Sequence, residues 1–170
     1  AGNCLLLDGG DTWPGSGTAY WTRGRDMVDA CNLLGVDVMT GHWEFTYREQ
    51  EVLDNIAAFN GTFVAQNVRV TEDALFEGAA AFDEDSGHAF APYTVKQLGE
   101  RRVAVIGQAF PYTPIANPAR FIPNWTFGIR HQEVQQLVEN IRDKEKPDAV
   151  VLLSHNGMDE ASTRNGRGPC

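Results

Sequence analysis

Short apolar runs alternate with longer amphipathic segments over the first seventy or so residues. CLLLD at residues 4–8 is an apolar run closed by two glycines, the pattern of a buried, parallel-type strand. A turn-rich loop, TWPGSG, follows. Residues 19–34 then place Met27, Val28, Cys31 and Leu34 on one helical face, with Gly35 positioned to stop the helix. VDVMT predicts a second strand ending at Gly41. Residues 47–59 predict a second helix, with Val52, Ile56 and Phe59 on one side and Asn60-Gly61 ending it. FVAQNVRV, residues 63–70, predicts a third strand.

The rhythm then changes. Residues 71–91 are acidic, rich in Ala and Gly, and carry no period. YTVKQL, the turn GERR and VAVIGQ predict a β-hairpin. A loop rich in Pro and Asn runs to Trp125, and residues 128–144 form an amphipathic helix through Val134, Leu137, Val138 and Ile141. DAVVLLS, residues 148–154, is the last strand. Strand–helix alternation of this kind predicts a layered α/β fold, in which ligands sit beyond the carboxyl ends of the strands.

Composition narrows the function. Apolar residues make up 42% of the 170 residues and charged residues 22%, enough for one cored domain. A net charge of −9 argues against nucleic acid, whose phosphates need clustered Lys and Arg, and against an anionic membrane surface. No apolar run is long enough to predict membrane insertion. The three cysteines, Cys4, Cys31 and Cys170, follow no zinc or disulfide spacing, and Cys31 falls on a helix face as a small apolar residue. Neither end reads as a natural terminus. The expectation is a piece of a longer protein, with a partial catalytic domain over residues 1–159 and a non-native or disordered tail over residues 160–170.

Candidate chemistry collects at three strand ends. Asp11 follows the first strand, His42 the second and His155 the last, each near a glycine. Singly, each is an ordinary turn or cap residue. Together they offer one carboxylate and two imidazoles, a donor set suited to Mn, Fe or Zn rather than Ca, and glycines let backbones come close. In MTGHWEFTY, Glu44 either fixes the turn or supports a ligand. Trp13, two residues past Asp11, is a candidate to line the site, while Trp125 reads as packing. Arg23, Arg25 and Arg48 are candidate anion contacts, and Arg48 is retained with Trp13 as a substrate-binding residue.

LLLDGGDTW, GHWEF and VVLLSHNGMD resemble the second, third and fourth motifs of the dinuclear metallophosphoesterases of the 5′-nucleotidase type. That resemblance implies a layered metallophosphoesterase-type α/β sandwich, incomplete at both ends. It makes Asp11 a metal-bridging ligand and His155 a terminal one. The family's first motif, Asp-x-His, belongs before residue 1, and its last, Gly-His-x-His, after residue 159. Three departures stand out. His42 replaces an asparagine ligand, Trp43 replaces the histidine that steadies the transferred group, and Thr46 replaces the aspartate that orients that histidine. Trp offers only an N–H donor, so the nucleotidase proton relay is missing.

GHWEFTY, WTFGI and LSHNGMD are similar to one branch, the SoxB-type thiosulfohydrolases of bacterial sulfur oxidation (Sox). This resemblance implies two Mn ions, with Asp11, His42 and His155 among the ligands and Trp43 as a wall of the site. It implies a periplasmic hydrolase that releases sulfate from a cysteine S-thiosulfonate on the carrier complex SoxYZ. Two other expectations stand beside it: a 5′-nucleotidase-like phosphoesterase, and an inactive piece without chemistry of its own.

Overall fold

The computed structural model describes residues 4–156. The expected tail over residues 160–170, and the last residues of the fourth motif, lie outside the described residues. The first strand, β1 (Leu7–Asp8), leads through a loop to α1 (Gly17–Thr22) and α2 (Arg25–Leu34), then to β2 (Val38–Met39). A 3₁₀ turn (Trp43–Tyr47) and α3 (Glu49–Ala58) lead to β3 (Thr62–Phe63). Next come β4 (Arg69–Val70), α4 (Glu72–Phe76), β5 (Tyr93–Leu98), β6 (Arg101–Gln108) and α5 (Thr113–Ala116). After a second 3₁₀ turn, β7 (Trp125–Thr126), α6 (His131–Lys144) and β8 (Ala149–Ser154) complete the order.

The strands form two principal sheets. β1, β2 and β3 lie side by side, all parallel. β5 and β6 form the expected hairpin, and β8 adds parallel to β6. The inner faces meet where Val38 of β2 and Val105 of β6 are buried with Leu7 and Val151 packed against them. This is the layered α/β sandwich, and it corrects the expectation that the three strand-end residues share one edge of a single sheet: Asp11 and His42 follow strands of one sheet, whereas His155 follows a strand of the other.

Three predicted elements divide in the structure. The helix over 19–34 breaks at Arg23 and Gly24, with φ of 58° and 82°. A Cβ on Gly24 would lie 2.8 Å from the Tyr47 ring, and Asn55 donates to the Arg23 carbonyl at 2.8 Å. Tertiary packing against α3 and the preceding turn therefore overrides helix continuation. The helix over 47–59 is a 3₁₀ turn joined to α3. FVAQNVRV is strand only at its ends, because its middle crosses between sheets. Val64 N–H donates to Met39 of the first, and Gln66 N–H donates to Gly107 of the second. In the acidic segment, Thr71 caps α4 by accepting the Ala74 N–H at 3.2 Å.

The larger core lies under the first sheet. Phe45 packs edge-to-face on Phe127 at 4.9 Å and on Trp125 at 5.9 Å, and Phe63 sits 5.1 Å from Phe90. Trp13, Cys31 and Trp125 are buried in the same cluster. Trp125 and Cys31 pack as expected; Trp13 does not line the site.

Candidate metal centre

The loop after β1 is shaped by Asp8, whose Oδ1 accepts the Gly10 N–H at 2.9 Å and the Thr12 hydroxyl at 2.8 Å. Gly10 has φ of 95° and presses on the β2 loop so closely that an added Cβ would lie 3.0 Å from Gly41 Cα. Asp11 itself is left-handed, φ 69°, a conformation Asp tolerates better than most residues. Its Oδ1 accepts the Trp43 N–H at 3.0 Å. Glu44 is fully buried and ties the two loops together. Its Oε1 accepts the N–H groups of Thr12 (2.8 Å) and Trp13 (3.3 Å), and its Oε2 accepts that of His42 (2.7 Å). It thus fixes the turn and positions the loops carrying Asp11 and His42.

The two imidazoles meet from opposite sheets. His42 Nδ1 lies 2.9 Å from His155 Nε2 and 3.3 Å from the Asp11 carboxylate, and His155 Nε2 is 3.4 Å from Asp11 Oδ2. His155 Nδ1 is 2.8 Å from the Gly9 carbonyl. A carbonyl only accepts, so that nitrogen carries a proton and the ring is oriented with Nε2 facing the cluster. Burial lowers the pKa of His42, against an opposing pull from Asp11, so the ring is neutral at pH 7. Its own Nε2 is buried without a partner. The candidate ligand atoms of Asp11, His42 and His155 all lie within 4.8 Å of one another. One carboxylate and two imidazoles, one oriented by a backbone carbonyl, suit a borderline divalent cation.

Beside Asp11 opens a cavity of about 380 Å³ lined by Pro14, Gly15, Trp43 and Thr46. Trp43 is 39% exposed, and its ring stands 4.9 Å from that of His42. The Thr46 hydroxyl donates to the Trp43 carbonyl at 2.7 Å. Neither side chain can give up and regain a proton at neutral pH. Two expected substrate contacts are placed elsewhere. Trp13 is wholly enclosed by the aromatic core, where its bulk gains more from burial than from exposure. Arg48 lies outside this cavity lining and stacks its guanidinium 5.3 Å from the centre of the Phe121 ring. Arg23 covers Tyr20 and Arg25 pairs with Asp29. Phe110 was not singled out from the sequence, yet its ring lies 4.2 Å from that of His42. The signal was its place, two residues past the carboxyl end of β6.

This fold and this donor set define a class: the fold is that of the 5′-nucleotidase-type metallophosphoesterases, and members of that superfamily match over nearly the whole chain. More particularly, it is similar to SoxB, the sulfate thiohydrolase of Thermus thermophilus solved with glycerol. That likeness has a TM-score of 0.79 at 35% identity and covers 96% of this chain and 28% of that one. A 5′-nucleotidase precursor from Thermus thermophilus matches at TM-score 0.73 and 25% identity, covering 91% of this chain and 28% of the other. Protein UshA from Yersinia enterocolitica is 28% identical over 163 residues, which is 92% of this chain and 26% of that protein. The chain thus spans about a quarter of the length of the curated relatives it matches. No protein-family model matches it. No helix among the described residues is long and apolar enough to cross a membrane.

Proposed function

We propose that the protein carrying this sequence is a periplasmic thiosulfohydrolase of the Sox type, loaded with two Mn ions. In this reading Asp11, His42 and His155 hold metal. The substrate is a cysteine S-thiosulfonate on the carrier complex SoxYZ. The observation that carries the reading is the cavity beside Asp11, which is lined by Trp43 and Thr46. Those positions hold a His–Asp pair in the nucleotidase pattern. The higher identity to SoxB, 35% against 25% for the nucleotidase precursor, supports the same choice.

The reaction balances without a protein proton donor. Water adds to the sulfonate sulfur, the sulfane–sulfonate bond breaks, and the carrier persulfide anion, sulfate and two protons are released. A pair of divalent ions, when bound, supplies charge for the sulfonate oxygens and acidifies water. Asp11, tied to the Trp43 N–H, and His155, oriented by the Gly9 carbonyl, hold fixed donor directions toward that centre. Trp43 forms an apolar wall that keeps bulk water from one side of the cleft. A persulfide leaves as an anion more readily than a nucleoside alkoxide, so the loss of a general acid is tolerable.

The 5′-nucleotidase-like reading is favoured by the curated relatives, which include snake venom 5′-nucleotidases and an apyrase. The deciding experiment gives the Mn-loaded full-length protein thiosulfonated carrier and 5′-AMP in parallel. Sulfate release at least about a hundredfold faster than phosphate release is the expected result, since that is the low end of what a missing general acid costs a phosphoesterase. Faster nucleotide hydrolysis would overturn the assignment.

A further inference from the structure

A second polar cavity, of about 400 Å³, opens between β4 and α6, and Gln66, Arg69, His88, Glu133, Gln136 and Asn140 are among its lining residues. Two guanidiniums share one carboxylate there. Arg69 Nη2 lies 2.5 Å from Glu133 Oε2, and Arg130 Nη1 lies 3.3 Å from Glu133 Oε1. The two guanidiniums outnumber that carboxylate, the exposed Asp83 stands beside His88, and the Arg69 side chain is only 16% exposed.

Its donors are not used up. Arg69 Nη1 donates to the Ser86 carbonyl and lies 3.0 Å from His88 Nδ1. A guanidinium only donates, so His88 Nδ1 accepts and its ring proton sits on Nε2. Burial, with Arg69 beside it, pushes the His88 pKa down to about 4, so the ring is neutral. His88 Nε2, Arg69 Nε and Arg130 Nε are all buried without a partner among the described residues. Each is an N–H donor left without an acceptor, which is costly for a buried group.

We propose that this cavity is a binding site for a small oxyanion, held by Arg69 and His88, with Gln136 and Asn140 of α6 as further hydrogen-bonding groups and Arg130 offsetting the charge of Glu133 beside it. The shared chemistry is a compact anion with several acceptor oxygens, either tetrahedral like sulfate or planar like a carboxylate. Guanidinium forks recognise both. Its link to the metal centre is physical. Gln66 lies 3.5 Å from Glu133, accepts from Gln108 at 2.9 Å, and the Gln108 carbonyl in turn accepts the His155 N–H at 3.2 Å.

The test uses full-length protein with chelator present, so that the metal centre does not bind the probe. Inorganic sulfate, inorganic phosphate and acetate are titrated separately by calorimetry at constant ionic strength set with chloride. Saturable binding of at least one anion is expected, weakened about tenfold or more in Arg69→Gln, the loss of one charge-assisted contact. Binding of sulfate or phosphate alone makes the ligand tetrahedral, and binding of acetate alone makes it a carboxylate. Should Arg69→Gln fail to fold, Arg130→Gln, which leaves the charge of Glu133 less offset, also weakens binding. No saturable binding of any of the three, or affinity unchanged in the folded variant, overturns the proposal. Neither result bears on the thiosulfohydrolase reading.

Discussion

Glu44 shows how a single side chain organises the centre. It is fully enclosed and accepts three backbone N–H groups from two loops. Glu44→Ala leaves the Trp13 and His42 donors buried and unpaired and that of Thr12 partly so, at roughly 1–3 kcal/mol for each buried donor before relaxation. A loss of about 3 kcal/mol or more in urea denaturation is expected, together with reduced metal retention. His88 gives a second expectation, in pH. Its pKa is about 4 in the folded chain against an ordinary 6.5. Between those values the unfolded chain binds more protons, so stability rises with pH. The contribution is complete above about pH 6.5 and is lost as pH falls toward 4. In His88→Gln, denaturation midpoints followed across that window should fall less steeply than in the parent; an unchanged slope would show that His88 is not buried as a neutral ring. Asp11, His42 and His155 were legible in the sequence because each stands just beyond an apolar run. Trp13 was misplaced because nearness along the chain says nothing about which way a side chain turns. Arg48 was misplaced because its aromatic partner, Phe121, lies far along the sequence.

At the scale of elements, the point where the two sheets touch is set by a glycine. A Cβ on Gly107 would lie 2.0 Å from the Val64 carbonyl oxygen, and that contact is backbone and cannot rotate away. Gly107→Ala must push β6 from the crossing segment, at a cost of about 3 kcal/mol, the upper part of the overpacking range. Gly128→Ala, with nothing within 4 Å of the new methyl group, should change stability by about 0.5 kcal/mol or less. Chemical denaturation of the pair separates a packing effect from a general intolerance of alanine. The hairpin, α6 and β8 were legible because their periods run long enough to dominate local noise. The break at Arg23–Gly24 and the crossing at residues 64–68 were not. Both are decided by partners distant in sequence, the Tyr47 ring in one case and Gly107 in the other.

At the scale of the whole molecule, the centre joins the two sheets. Asp11 and His42 arrive from one and His155 from the other, so metal bound there is also a clamp between layers. If the centre holds metal as proposed, Asp11→Ala or His155→Ala in the full-length protein should lower both metal content and thermal stability in Mn, and lower the metal-free midpoint less, by the loss of the Trp43 N–H or Gly9 carbonyl contact alone. Elemental analysis with melting in chelator and in Mn checks both. The substrate reading meets its sharpest test at Trp43 and Thr46. The double change Trp43→His, Thr46→Asp puts the nucleotidase pair into the cavity beside Asp11. If the cleft is built for a sulfonate whose leaving group needs no proton, the added acid brings nothing to sulfate release. The lost indole wall should then lower that rate. Hydrolysis of 5′-AMP should rise by roughly ten- to a hundredfold over the unmodified protein, part of what a positioned general acid contributes. Both activities are measured on both proteins at equal Mn occupancy. A double variant that gains sulfate release would mean that the parent reaction is limited by proton delivery. Trp43 would then be a defect in the cleft rather than its wall.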